Sequence, residues 1–192
     1  MCRISKGGNF MANLSRTERD FQRALLDLLE NQAFMSISVE QLCQEVMVHR
    51  SSFYRYYNDK YDLLKHTVNN KITTLIDDSH STAEGLENVV DYLCQHKDLM
   101  RNLATSKSNS SLYPTMVNIL ADIVLNRYED GVSDPLVQVI GNFANPETAA
   151  YMLSASLVGA FYWWRDQDYA TDKATIMKHA YDFINWLVNK SK

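Results

Sequence analysis

Arg50, Ser51, Tyr54 and Arg55 fall within six consecutive residues, with Lys60 a little further on. Guanidinium forks, a hydroxyl and a phenol in so short a run are the groups that bond the base edges and phosphates of duplex DNA. His49, Ser52 and Tyr56 add donors beside them, and Ser38 lies upstream. Wound at 100° per residue, Phe53, Tyr56 and Tyr57 gather on one side of a helix, leaving Arg50, Ser51, Tyr54 and Arg55 on the opposite side. Lysine at a helix start opposes the dipole, a small cost that a phosphate contact by Lys60 would explain. A basic, aromatic short helix is also an ordinary solvated face, and periodicity alone leaves the two readings level.

Other chemistry is poorly provided for. Histidines 49, 66, 80, 96 and 179 make no metal-ligand spacing, so no metal is expected. Cys94 and His96 stand close in sequence but point apart on a helix, and Cys43 falls on a core phase. No nucleophile motif, phosphate-binding loop or dinucleotide fingerprint occurs; the reading is no enzyme and no cofactor.

The elements that position the basic run read as helices. Only six Gly and three Pro interrupt the 192 residues, and helical spacing recurs where strand alternation does not. Ser15 with Glu18 forms a capping box ahead of Phe21, Ala24, Leu25, Leu28 and Leu29 on one face. Ser38 to Gln41 opens a second, short helix with Val39, Leu42, Cys43 and Val46 inward. After a turn at Met47-Val48, a third runs from His49 to about Tyr57. Two such short helices with a two-residue turn have helix-turn-helix dimensions. Asn58 or Asp59 caps a long fourth helix whose expected inner face is Tyr61, Leu64, Val68, Ile72 and Leu75.

The segment from Ile37 to Leu64 resembles the DNA-binding signature of the tetracycline-repressor (TetR) family. Phe53-Tyr54, Tyr56-Tyr57, Asn58-Asp59-Lys60 and Leu63-Leu64 stand at that family's spacing, and the likeness spans roughly residues 15–66. Leu157 to Arg165 looks like the C-terminal domain common in Gram-positive members. Two positions depart from the pattern. Met47 replaces the usual turn Gly, which tolerates positive φ freely, and His49 replaces a Ser or Thr cap.

The resemblance implies an all-α chain in three parts. These are a flexible arm over 1–14, a three-helix helix-turn-helix domain over 15–66, and a helical effector-binding and dimerisation domain over 67–192. Met11 is an equally good start. Residues 1–66 carry nine basic and eight acidic side chains, and the remainder carries ten and fifteen. A net charge of −4 does not suggest a nonspecific polyanion binder, but the asymmetry suits a small anion-facing head on an acidic body.

Beyond residue 66 five helices are expected, at roughly 82–96, 98–106, 112–129, 146–166 and 172–189. Asp130-Gly131 with Ser133-Asp134-Pro135 is read as ending the third of these. Asn145-Pro146-Glu147 is a strong helix start. The last two helices are expected to pair as a hairpin, which in the resembled family forms a dimer's four-helix bundle. Its expected interface is Ala155, Gly159, Ala160, Phe183, Ile184 and Leu187. Tyr113, Met116, Tyr151, Met152, Phe161 and Trp164 are the candidate lining for an uncharged or weakly charged apolar effector, and equally the filling of a core.

The implied protein is a ligand-responsive regulator, a repressor acting as a homodimer on a pseudo-palindromic operator in double-stranded DNA. The alternative is a TetR-like interaction protein acting through a protein partner with weak or no operator binding. No run approaches the ~18 apolar residues of a membrane span. The opening twenty residues lack a signal-peptide core, and three scattered cysteines make no disulfide framework, so a cytoplasmic protein without membrane association is expected.

Overall fold

In the computed structural model, residues 14–77, 79, 81–104 and 112–190 are described. They form ten α-helices and one 3-10 turn, with no strand among them. The expected arm therefore lies almost wholly outside the described residues.

The helices are α1 (Arg16–Leu29), α2 (Val39–Val46), α3 (Arg50–Tyr56), α4 (Lys60–Asp77), α5 (Thr82–Gln95), α6 (Lys97–Ala104), α7 (Leu112–Glu129), α8 (Pro135–Gly141), α9 (Pro146–Asp166) and α10 (Lys173–Lys190). The chain divides into two compact units, residues 1–74 with 93–110 and residues 75–92 with 111–192.

In the first unit, the Ser15 hydroxyl accepts from the Glu18 N–H while the Glu18 carboxylate accepts from the Ser15 N–H, closing the capping box. Phe21, Ala24, Leu25 and Leu29 are buried on α1, which packs on α2 and α6. A 3-10 turn at Phe34–Ser36 leads into α2, whose N-cap Ser38 accepts from the Gln41 N–H. Met47 ends α2 in the left-handed region at φ 57°, and the Val48 N–H reaches back to the Cys43 carbonyl. The turn thus keeps the geometry that favours Gly although a longer side chain occupies it.

α4 corrects the sequence reading of its inner face. Leu63, Leu64, Thr67, Asn70 and Ile76 are buried, while Tyr61 is exposed and Val68, Ile72 and Leu75 are only half-buried. Two polar side chains sit inward through the hydrogen bonds their donors make, while the Asn70 carbonyl oxygen has no partner in the structure. Thr67 donates to the Leu63 carbonyl, and the Asn70 amide donates to Gln22 on α1.

In the second unit, α7 packs along α9, and α8 packs against α7, α9 and α10. α8 corrects a second expectation. Asp134-Pro135 begins a helix, with the Asp134 carboxylate accepting from the N–H groups of Leu136 and Val137. Leu136, Val137, Val139 and Ile140 are all buried on its seven residues, so α8 sits among three helices, and α10 seats on it. The direct pairing expected of α9 and α10 is thereby corrected: the unforeseen α8 packs against both. Asn145 caps α9 as expected, accepting from the Thr148 N–H.

Candidate nucleic-acid interface

α3 is a seven-residue helix, too short to persist on its own; tertiary packing must hold it. That packing is aromatic. Phe53 is fully buried and meets Phe21 of α1 edge-on, centroids 5.2 Å apart. Tyr57, just past the helix, meets Phe21 at 6.2 Å and Phe53 at 5.6 Å. Its hydroxyl accepts from Gln22, whose own carbonyl accepts from Asn70, so one polar chain links α1, the end of α3 and α4. Burial pushes the Tyr57 phenol up to about 12, with the Gln22 bond partly opposing it.

The opposite side of α3 faces outward. His49, Arg50, Ser51, Tyr54 and Arg55 are exposed, and Ser52 and Tyr56 are half-buried. The Arg50 guanidinium donates to the Tyr54 hydroxyl at 3.3 Å and lies 6.0 Å from its ring centroid, so the two side chains are paired before any partner arrives. His49 occupies the N-cap position without a side-chain capping bond, leaving its ring available. The Ser38 hydroxyl is already engaged as a cap.

Lys60, expected to hold a phosphate, is bonded within the chain. Its ammonium donates to the carbonyls of Phe34 (3.0 Å), Met35 (3.1 Å) and Ile37 (2.8 Å), and lies 4.9 Å from the Phe34 ring centroid. Burial lowers its pKa from the usual lysine value. Backbone carbonyls carry no side-chain signature, so nothing in the sequence distinguishes this arrangement from a phosphate contact.

The proposed effector residues divide. Met116, Phe161 and Trp164 are buried, and Tyr113 donates to the Ala155 carbonyl at 3.0 Å. Trp164 donates to the Thr171 carbonyl at 2.7 Å. Tyr151 and Met152 instead stand exposed, with 63% of Met152 accessible, because Met152 points away from the buried face of α9 and Tyr151 sits at that face's edge.

Of the expected interface set, Ile184 is corrected: it is buried in its own unit. Gly159 is half-buried. Ala160 and Phe183 are exposed, and Ala155 and Leu187 are half-buried. The most exposed large apolar side chains here are Met152, Trp163 (55%) and Trp186 (56%), which the sequence reading left out of the interface. Among the described residues no His/Cys/Asp/Glu cluster suits a metal, and no helix is long and apolar enough to cross a membrane.

The chain, with its short aromatic-anchored helix presenting arginines, is similar in sequence and in fold to helical transcription regulators. It is 28% identical over 92 residues to DhaS, a helix-turn-helix transcriptional activator of the dhaKLM operon from Lactococcus lactis subsp. lactis (strain IL1403). That match spans 46% of this chain and about half (49%) of the relative's length. The solved structure of a dihydroxyacetone kinase operon activator DhaS superposes with a TM-score of 0.56 at 17% identity, over 91% of this chain and 96% of the other. The fatty acid degradation regulator FadR from Bacillus halodurans gives 0.52 at 16% identity, over 90% and 96%. No family model matches the sequence.

Proposed function

We propose that the protein is a TetR-like, DNA-binding transcriptional regulator of the cytoplasm that acts as a homodimer on a pseudo-palindromic operator and responds to a small-molecule effector. The observation that carries this reading is α3: its inner side is fixed by Phe53 and Tyr57, and its outer side offers Arg50, Ser51, Tyr54 and Arg55 to solvent. In this reading Arg50, Ser51 and Tyr54 enter the major groove, while Tyr56 and the flanking His49 and Ser52 meet the backbone.

One short helix reads too few base pairs for useful specificity, so two copies must be held at a fixed spacing. Met152, Ser156, Ala160 and Trp163 supply a surface for this, recurring at i, i+4, i+8 and i+11 as an exposed stripe on α9. Phe183 and Trp186 are exposed on α10. Exposed tryptophans on two helices exceed what a solvated face needs, which supports pairing with a second copy.

The effector reading rests on Tyr113, Met116, Phe161 and Trp164. The Ser154 hydroxyl supports it too, fully buried on α9 without a hydrogen-bond partner in the structure. Repression is the family's usual sign of action, and the sequence relative is named an activator. The test is an electrophoretic shift with the protein's own upstream DNA, repeated with Arg50→Ala. Loss of about 1–3 kcal/mol of affinity, with relaxed preference at one base position, supports the reading. A wild type that shifts no upstream fragment overturns it and favours action through a protein partner.

A further inference from the structure

We propose that Lys60 is a positioning residue of the helix-turn-helix, its ammonium clamping the entry of α2 to the start of α4 rather than contacting a DNA phosphate. An ammonium has three N–H donors and no acceptor. Here each finds a carbonyl, those of Phe34, Met35 and Ile37, at 2.8 to 3.1 Å. No donor is left over, and a phosphate bond would require giving one up. The Phe34 and Tyr61 rings, with centroids 4.9 and 5.8 Å from the nitrogen, shelter it further.

The place of these partners in the chain gives the clamp its consequence. Phe34 to Ile37 immediately precede Ser38, the N-cap of α2, whereas Lys60 is the first residue of α4. α3 lies between these two anchored points. Holding the 3-10 turn against the start of α4 therefore fixes both ends of the α2–α3 segment, and with them the angle at which Arg50 and Tyr54 are presented. The dipole cost of a cation at the start of α4 is met by the carbonyls, so no phosphate is needed to account for the lysine. The effect on DNA binding rests on the function proposed above; the clamp itself does not.

Lys60→Met and Lys60→Arg separate the two roles. A phosphate contact is preserved by arginine, whose fork binds phosphate bidentately, while a planar guanidinium cannot aim three donors at three carbonyls around one point. The clamp predicts a loss of operator affinity of about tenfold or more in both variants. It also predicts an unchanged slope of log affinity against log salt between about 50 and 200 mM. In the free variants the Ile37, Gln41 and Leu42 amides should exchange faster than in the wild type. A slope reduced by about 0.9 in Lys60→Met together with wild-type affinity in Lys60→Arg overturns the proposal, as does unchanged amide exchange.

A measurement on the wild type decides the matter even where a variant does not fold. In protein labelled with 15N-lysine, the clamp predicts one slowly exchanging ammonium with contacts to the Phe34 and Tyr61 ring protons. Its resonance should stay in place when upstream DNA is added. Absence of that protected ammonium from the free protein overturns the clamp. A wild type that binds no DNA overturns the regulator reading instead, because the ammonium and amide measurements are made without DNA.

Discussion

Replacing Met47 with Gly should stabilise the protein, although it deletes a large apolar side chain. Met47 holds φ 57° and ψ 45°, where an L side chain costs about 1–2 kcal/mol. Glycine removes that strain but adds about 0.5–1 kcal/mol of unfolded-chain entropy. The side chain is 90% exposed, so its loss forfeits almost no burial. The net gain is about 0.5–1 kcal/mol, which for a chain of this size raises the Tm by about 1–4 °C.

Met47→Ala is the control that separates strain from apolar exposure. It trims the thioether and keeps the left-handed backbone, so it should stay within about 0.5 kcal/mol of the wild type. Met47→Val should fall below both, because β-branching is least tolerated at positive φ. Thermal unfolding followed by circular dichroism ranks the three variants. Equal gains from Gly and Ala would show that exposure rather than backbone strain sets the effect, and a loss on Met47→Gly would refute the reasoning outright.

Gly85→Ala places a Cβ 2.9 Å from the Ser79 hydroxyl and 3.0 Å from the Ile76 Cα, and should destabilise by about 1–3 kcal/mol in denaturant melts. The Tyr57 phenol is raised from 10 to about 12, so its folded form favours the proton. The stability it contributes is full below pH 10 and is lost as pH rises toward 12. Denaturant midpoints against pH should therefore decline less steeply across that window in Tyr57→Phe, although the variant is weaker at neutral pH because Gln22 loses its acceptor. Trp163→Glu or Trp186→Glu should convert a sedimenting dimer to monomer with helix content unchanged; a monomeric wild type at micromolar concentration would refute the pairing surface.

Legibility in the sequence followed the range of the interactions. Caps involve residues within four positions of each other, so Ser15, Ser38 and Asn145 marked helix starts that the structure also has. The inward phase of Phe53 and the outward phase of Arg50 followed from a 3.6-residue period. α8 was missed because Asp134-Pro135 serves as a stop for one helix and a start for the next, and a helix buried on several sides shows no polar face. The inner face of α4 was misplaced because Thr67 and Asn70 count as polar until their partners, one of them 48 residues away at Gln22, are known. Lys60 was legible as an important cation and illegible as to purpose. Its ligands are main-chain atoms brought near by a turn more than twenty residues upstream.

The polar chain from Gln22 through Tyr57 to Asn70 and the Lys60 clamp bear on the same mechanical demand. A hydrophobic core tolerates sliding of its helices because dispersion contacts have little directional preference, whereas a hydrogen bond fails within a few tenths of an ångström and tens of degrees. Phe21, Phe53 and Tyr57 supply the adhesion that keeps a seven-residue helix folded. The directional bonds fix where it sits: Gln22 and Asn70 tie the end of α3 to α1 and α4, and Lys60 ties the entry of α2 to α4. Both sets converge on α4. A displacement of α4 therefore cannot be absorbed by slippage; it must either carry α3 with it or break these bonds, each costing about 1–3 kcal/mol where a buried group is left unsatisfied. That comparison favours moving α2 and α3 as one body, the property that the proposed function asks of them.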